Sequence, residues 1–94
     1  MNETRKTVLV RVTGRVQGVS FRAWTRQQAM RLGLAGWVRN EPDGAVTALL
    51  SGPAAAVEAM VRLLWSGPPA ARIAGIEIED HDTEDAITAF EIRY

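Results

Sequence analysis

The stretch Gly14-Arg15-Val16-Gln17-Gly18-Val19-Ser20-Phe21-Arg22 sets two glycines and an arginine between one alternating apolar run and one amphipathic run. Glycines let a turn gather successive backbone N–H groups into one concavity, and a helix that follows adds its unpaired N-terminal donors. A dianion such as a phosphoryl group meets many donors there. Arg22 falls in the first turn of that helix, where the positive end of the helix dipole disfavours a cation by about 0.3–1 kcal/mol. An anion between helix end and guanidinium removes this conflict, and the planar fork of arginine suits phosphate bidentately. A solvated arginine after a glycine-containing turn satisfies the same nine residues, and phosphate binding is the minority use of such turns. The stretch is neither a Walker A loop nor the Gly-x-Gly-x-x-Gly of dinucleotide folds.

Other chemistry-bearing residues are few. Asn40 stands directly before Glu41-Pro42-Asp43-Gly44 and on local grounds reads first as a turn residue. His81 is the sole histidine, in the acidic run Asp80–Asp85, and reads as a solvated side chain. The acids from Glu77 to Asp85 lack the spaced Asp/Asn and Gly of a calcium loop and read as a solvated face. Ser20 has no histidine partner in reach by sequence, which argues against a serine nucleophile. With no cysteine, disulfides, thiol catalysis and cysteine metal sites are excluded.

The elements that must position these residues follow from periodicity. Thr7–Thr13 alternates with Val8, Val10 and Val12 on one face, a first strand that the glycine loop ends. Ser20 is expected to cap a helix from Phe21 to Arg31, with Phe21, Thr25, Ala29 and Leu32 as its apolar stripe and Gly33 as its stop. Thr25 fits that stripe if its hydroxyl bonds back to its own helix. Ala35–Asn40 reads as a second strand, and Ala45–Leu50 as a third, joined through Pro42 and Gly44 as an antiparallel hairpin. A second helix is expected with Pro53 at its first position and Val57, Met60, Val61 and Leu64 as its stripe, closed by Gly67-Pro68-Pro69. Trp65 falls beside that stripe and is expected to be partly exposed. A fourth strand runs from Ile73 to Asp80, with Ile76 and Ile78 inward and a bulge at Ala74-Gly75. Phe90–Tyr94 reads as a short fifth strand.

The order β-α-β-β-α-β plus a terminal strand predicts an α+β, ferredoxin-like split β-α-β sandwich: an antiparallel sheet with two helices on one face. Right-handed crossovers would bring the glycine loop and the end of strand two to one edge of the sheet. Ninety-four residues suit one domain spanning residues 1–94. Composition is ordinary for a folded protein, with 47% hydrophobic and 23% charged residues. No apolar run is long enough to span a membrane, and Met1–Lys6 leads into a strand rather than a signal h-region, which predicts a cytoplasmic protein. Net charge is zero, yet residues 1–40 hold eight Arg and Lys against the single acid Glu3. Either a positive field surrounds the glycine loop, or the charges mix once the strands interleave.

Two long stretches carry a resemblance. Gly14–Arg22, together with Gly36-Trp37-Val38-Arg39-Asn40-Glu41-Pro42-Asp43-Gly44-Ala45-Val46 and Gly52 beyond it, resembles both signature motifs of the acylphosphatases. Length, Gly67-Pro68-Pro69 and the terminal Phe90–Tyr94 are also similar to that family. The resemblance implies a hydrolase of acyl phosphates that uses neither metal nor cofactor, releasing a carboxylate and inorganic phosphate. It further implies that Arg22 binds the phosphate, that Asn40 holds the attacking water, and that Arg15, Val16, Gln17, Gly18, Val19 and Ser20 form the amide cradle. A carboxylate leaving group, with a pKa of about 4, needs no general acid, and phosphoryl transfer rests mainly on positioning and charge stabilisation. A monomer with no nucleic-acid or membrane partner is expected.

Two other readings compete. Ferredoxin-like sheets also serve as RNA- or anion-binding modules, but RNA-binding sheets expose aromatic residues on their central strands. Here strand one offers Leu9, Arg11 and Thr13 outward, and strand three Thr47 and Leu49. The other is a partner-bound unit of the kind acylphosphatase-like domains form within hydrogenase-maturation proteins.

Overall fold

A computed structural model describes residues 4–82 and 87–94. Five strands and two helices follow in the expected order: β1 (Arg5–Arg15), α1 (Phe21–Arg31), β2 (Ala35–Asn40), β3 (Val46–Pro53), α2 (Ala54–Ser66), β4 (Arg72–Asp80) and β5 (Phe90–Arg93). The sheet order is β4-β1-β3-β2-β5, so β4 and β5 are its edges. β1 pairs antiparallel with β3 and β4, and β3 with β2; β5 adds a parallel pair on β2. Part of the acidic run, residues 83–85, lies outside the described residues. No described helix is long and apolar enough to cross a membrane.

Alternation builds one core on one face of this sheet. Val8, Val10 and Val12 of β1 meet Val46, Ala48 and Leu50 of β3 and Val38 of β2, all buried. Phe21 and Ala29 of α1, and Val57, Met60 and Leu64 of α2, close over them, so both helices share that face. Each buried Val, Leu, Phe or Met side chain taken from water contributes about 1.5–3 kcal/mol, and each Ala about 0.8 kcal/mol. The opposite face is less bare than a single-sided sheet suggests, since Leu49, which sits opposite Leu9 and Trp37 in register, is only 4% exposed.

Several local expectations change in detail. α1 ends as predicted, with Gly33 at φ 70° and bonds from Gly33 N–H to Met30 O and Leu34 N–H to Ala29 O that satisfy the last carbonyls. Ser20 stands at the N-cap position of α1 as expected, but its side chain makes no capping hydrogen bond. Its backbone is left-handed at φ 62° and ψ 26°, whereas a side-chain cap needs extended backbone, and only its carbonyl joins the helix, accepting from Trp24 N–H at 3.0 Å. Pro53 precedes α2 as the last residue of β3 instead of opening the helix. Trp65 is exposed as expected, but Ile78 is half exposed. The core reaches Ile73 and Ile76 and stops short of Ile78, near the outer end of an edge strand. Thr25 is fully buried, and its hydroxyl makes no hydrogen bond among the described residues, so the back-bond to its helix is not formed.

The bulge falls where the sequence places it and prepares the loop. Thr13 pairs with Gly75 and Gly14 with Ile73, leaving Ala74 unmatched. At Gly14, φ is +123°, and a Cβ would stand 2.1 Å from Arg72 O. No side chain fits there. Gly18, at φ +72°, has open space around it and needs glycine only for its backbone angle.

Gly14→Ala should therefore lower unfolding free energy by about 2–4 kcal/mol, and Gly18→Ala by only about 1 kcal/mol, in urea titrations. Thr25→Val, which replaces an unpaired buried hydroxyl by a methyl, should raise stability by about 1 kcal/mol in the same titration.

Candidate active site

Strand direction gathers the candidate residues. β1 and β2 both run antiparallel to β3, and β5 runs parallel to β2, so all three finish at the same end of the sheet. The glycine loop leaves that end from β1. Asn40 closes β2 two residues beyond the core residue Val38 and opposite Val46, which puts it on the helix-covered face. Tyr94 follows β5 two residues beyond Ile92. Together Val16, Gly18, Ser20, Arg22, Asn40 and Tyr94 line a cavity of about 210 Å³. The meeting point is an end of the sheet, where the sequence suggested an edge: β3 lies between β1 and β2, so loop and asparagine meet across the start of β3.

Not every expected residue reaches the cavity wall. Arg15 ends β1 opposite Arg72 and is exposed. Val19 does not line it either; it and Val16, which does, are buried in the core cluster at 9% and 1% exposure, so their side chains pin the loop from beneath. Among the described residues, the N–H groups of residues 16–20 donate to no backbone carbonyl. An array of unpaired donors at a helix N-terminus is an anion concavity.

Arg22 is half-buried, and no described carboxylate pairs with it. Its Nη1 donates to Arg93 O at 3.2 Å, and its guanidinium lies 4.8 Å from the centre of the Tyr94 ring. One helical turn on, Arg26 Nε donates to Phe90 O at 3.2 Å, so two arginines of α1 hold the edge strand β5. The sequence gives no reason to place Arg93 and Tyr94 at this site. The alternation of Phe90, Ile92 and Tyr94 is legible, but the pairing of β5 with β2 is a long-range choice.

The turn after Asn40 is tied down on every side. Glu41 N–H donates to Ala45 O at 2.8 Å, Gly44 N–H to Glu41 O at 3.1 Å, and Ala45 N–H to Asp43 Oδ1 at 3.1 Å. Arg39 Nε meets Glu41 Oε2 at 2.8 Å, and Arg11 pairs with Asp43. Two cations of the basic first half are thus neutralised by acids of the second, which is the mixing alternative. The hydrogen bond from Arg11 holds the Asp43 carboxyl below its ordinary range, and that from Arg39 does the same for Glu41. A larger cavity of about 450 Å³ lies on the open sheet face, lined in part by Arg11, Arg39 and Glu41. Both of its guanidiniums are paired with carboxylates, unlike that of Arg22 in the smaller cavity.

The fold defines a small α+β protein of the ferredoxin-like class, with a cavity of about 210 Å³ at its first strand-to-helix loop. Residues 8–92 match the acylphosphatase family model, and the chain belongs to that family. It is 53% identical over 92 residues to an acylphosphatase of Rhizobium meliloti, a match covering 98% of this chain and 97% of the relative. Among solved structures, an acylphosphatase from Bacillus subtilis superposes with a TM-score of 0.91 at 33% identity, covering 97% of this chain and all of that one. One from Coxiella burnetii gives 0.89 at 35% identity, covering 95% and 93%. The activity is the hydrolysis of a small-molecule acyl phosphate to a carboxylate and inorganic phosphate.

Because both turn carboxyls are held below their ordinary values in the folded chain, the stability they contribute is present above about pH 4 and is lost as pH falls through the lowered values. A Glu41→Gln/Asp43→Asn variant should melt below the native chain at pH 7. The difference should shrink towards zero in melts taken progressively below about pH 4.

Proposed function

We propose that the substrate's phosphoryl group sits in the loop of residues 16–20, its non-bridging oxygens taken by the loop N–H groups and by the guanidinium of Arg22. Asn40, through its side-chain amide, holds a water in line with the bond to be broken. The water oxygen attacks phosphorus, the bond from phosphorus to the acyl oxygen breaks, and the carboxylate leaves with that electron pair. Since a carboxylate is a stable anion near neutral pH, no proton need be delivered to it. The proton lost by the water passes to a phosphoryl oxygen or to solvent. What remains for the protein is position and charge, and these residues supply both.

One observation carries this reading: Arg22 and Asn40, 18 positions apart in sequence, line a single cavity with the glycine loop, whose N–H groups lack backbone acceptors among the described residues. The electrostatic conflict of Arg22 at a helix N-terminus supports it, since a bound dianion between the two turns a cost into an attraction.

We also read the chain as one domain acting as a cytoplasmic monomer without a nucleic-acid partner. On the open face, Trp37 is the aromatic residue that an account of strands one and three alone overlooks. Its ring is held by Arg39 at 4.7 Å and Arg93 at 4.9 Å, which argues against its use as a base-stacking platform.

The test is hydrolysis of an aryl acyl phosphate in EDTA. Arg22→Ala should lose about 10³-fold or more in kcat/KM and should no longer be inhibited by inorganic phosphate. Asn40→Ala should lose about 10²–10³-fold in kcat while keeping that inhibition. Folded variants as active as the native chain would sink the assignment.

A further inference from the structure

Gln17 has its side chain turned away from the cavity that its own loop helps to form. Its Nε2 donates to Glu41 O at 2.8 Å and to Ala45 O at 2.9 Å. Both hydrogens of one amide nitrogen are thereby used on two carbonyls at the two ends of the turn that follows Asn40. The orientation of the amide is set by chemistry: carbonyl oxygens accept only, so the NH2 side must face them.

No other side-chain hydrogen bond among the described residues joins residues 16–20 to the segment 40–46. Otherwise the loop is fixed from its ends, by β1 and α1, and from below, by Val16 and Val19 in the core. Those anchors set its height over the sheet. The ladder through β3 ties the strand ends together at Val12, Val46 and Asn40, but residues 16–20 lie beyond it and leave a gap to the turn after Asn40. The Gln17 amide spans that gap. Its two acceptors belong to the residue next to Asn40 and to the residue before Val46, which pairs with Asn40 in the last rung of the β2–β3 ladder.

We propose that Gln17 is a positioning residue for the hydrolysis, fixing the distance between the phosphate loop and Asn40 and so the approach of the attacking water to phosphorus. The inference rests on the reading of Arg22 and Asn40 given above. In-line attack tolerates little error, and a misplacement of about 1 Å costs about 10²-fold in rate. The loop N–H groups and Arg22 bind phosphate whether or not Asn40 is in register with them. Loss of the tie therefore acts on turnover and spares affinity for the anion.

Gln17→Met keeps the length of the side chain and removes both donors. It should lower kcat about 10–100-fold while inhibition by inorganic phosphate stays within about threefold of native. In an Asn40→Ala background the same substitution should change kcat by less than about threefold, because no held water remains to be misplaced. Gln17→Glu presents a carboxylate to two carbonyls and regains one donor when protonated, so its activity relative to native should recover as pH falls. If Arg22→Ala and Asn40→Ala are impaired but Gln17→Met is not, the positioning role fails and the site assignment survives. Loss of phosphate inhibition in step with kcat, or full additivity with Asn40→Ala, also overturns it. So does failure of both Gln17→Met and Gln17→Glu to fold, which would make the tie structural. If Arg22→Ala and Asn40→Ala are themselves fully active, the site assignment fails and the positioning role falls with it.

Discussion

The site depends first on three strands pointing the same way. A β1-α1-β2 unit is a crossover between parallel strands, and its path carries α1 over the sheet and returns the chain beyond β3. Because β1 and β2 share a direction, the loop that leaves one and the residue that ends the other lie at the same end. β5 joins that alignment by pairing parallel with β2 and delivers Arg93 and Tyr94 to the same place. Reverse any one of these strands and the cavity loses a wall.

Within that frame, the glycine loop and the turn after Asn40 differ in how their polar groups are paired. Among the described residues the loop N–H groups have no backbone acceptor, and Arg22 has a carbonyl and an aromatic ring beside it and no carboxylate. Around the β2–β3 turn, by contrast, backbone, carboxylates, guanidiniums and the Gln17 amide are interlocked. Exposed ion pairs of this kind contribute little to stability singly. Their effect is to hold the backbone next to Asn40 in one shape, which agrees with a chemistry that asks for position more than for reactive groups.

The edges of the sheet show the same economy. β5 has only four residues, and Arg26 and Arg22 cover two of its carbonyls, which leaves it a poor template for another strand. β4, the other edge, carries Glu77, Glu79 and Asp80, charged residues that discourage pairing with a second chain. Its cost is Ile78, a β-branched residue on the helix-facing side that the helices do not reach.

Sequence by itself determined the elements and, through two long motifs, the family and the loop. Periodicity of two and 3.6, and glycine and proline at turns, act over a few residues, so strand, helix, hairpin and the bulge at Ala74 were legible locally. Local rules failed at Ser20, which is left-handed where it closes the loop, and at Thr25, which is buried by the packing of α1 with no partner for its hydroxyl among the described residues. Only the tertiary structure decided which strands are neighbours, and hence that Asn40, Tyr94 and the glycine loop share one cavity while Arg15 does not line it. Pairings such as Arg22 with Arg93, or Gln17 with Glu41 and Ala45, join residues 24 to 71 positions apart, and no periodicity along the chain encodes them.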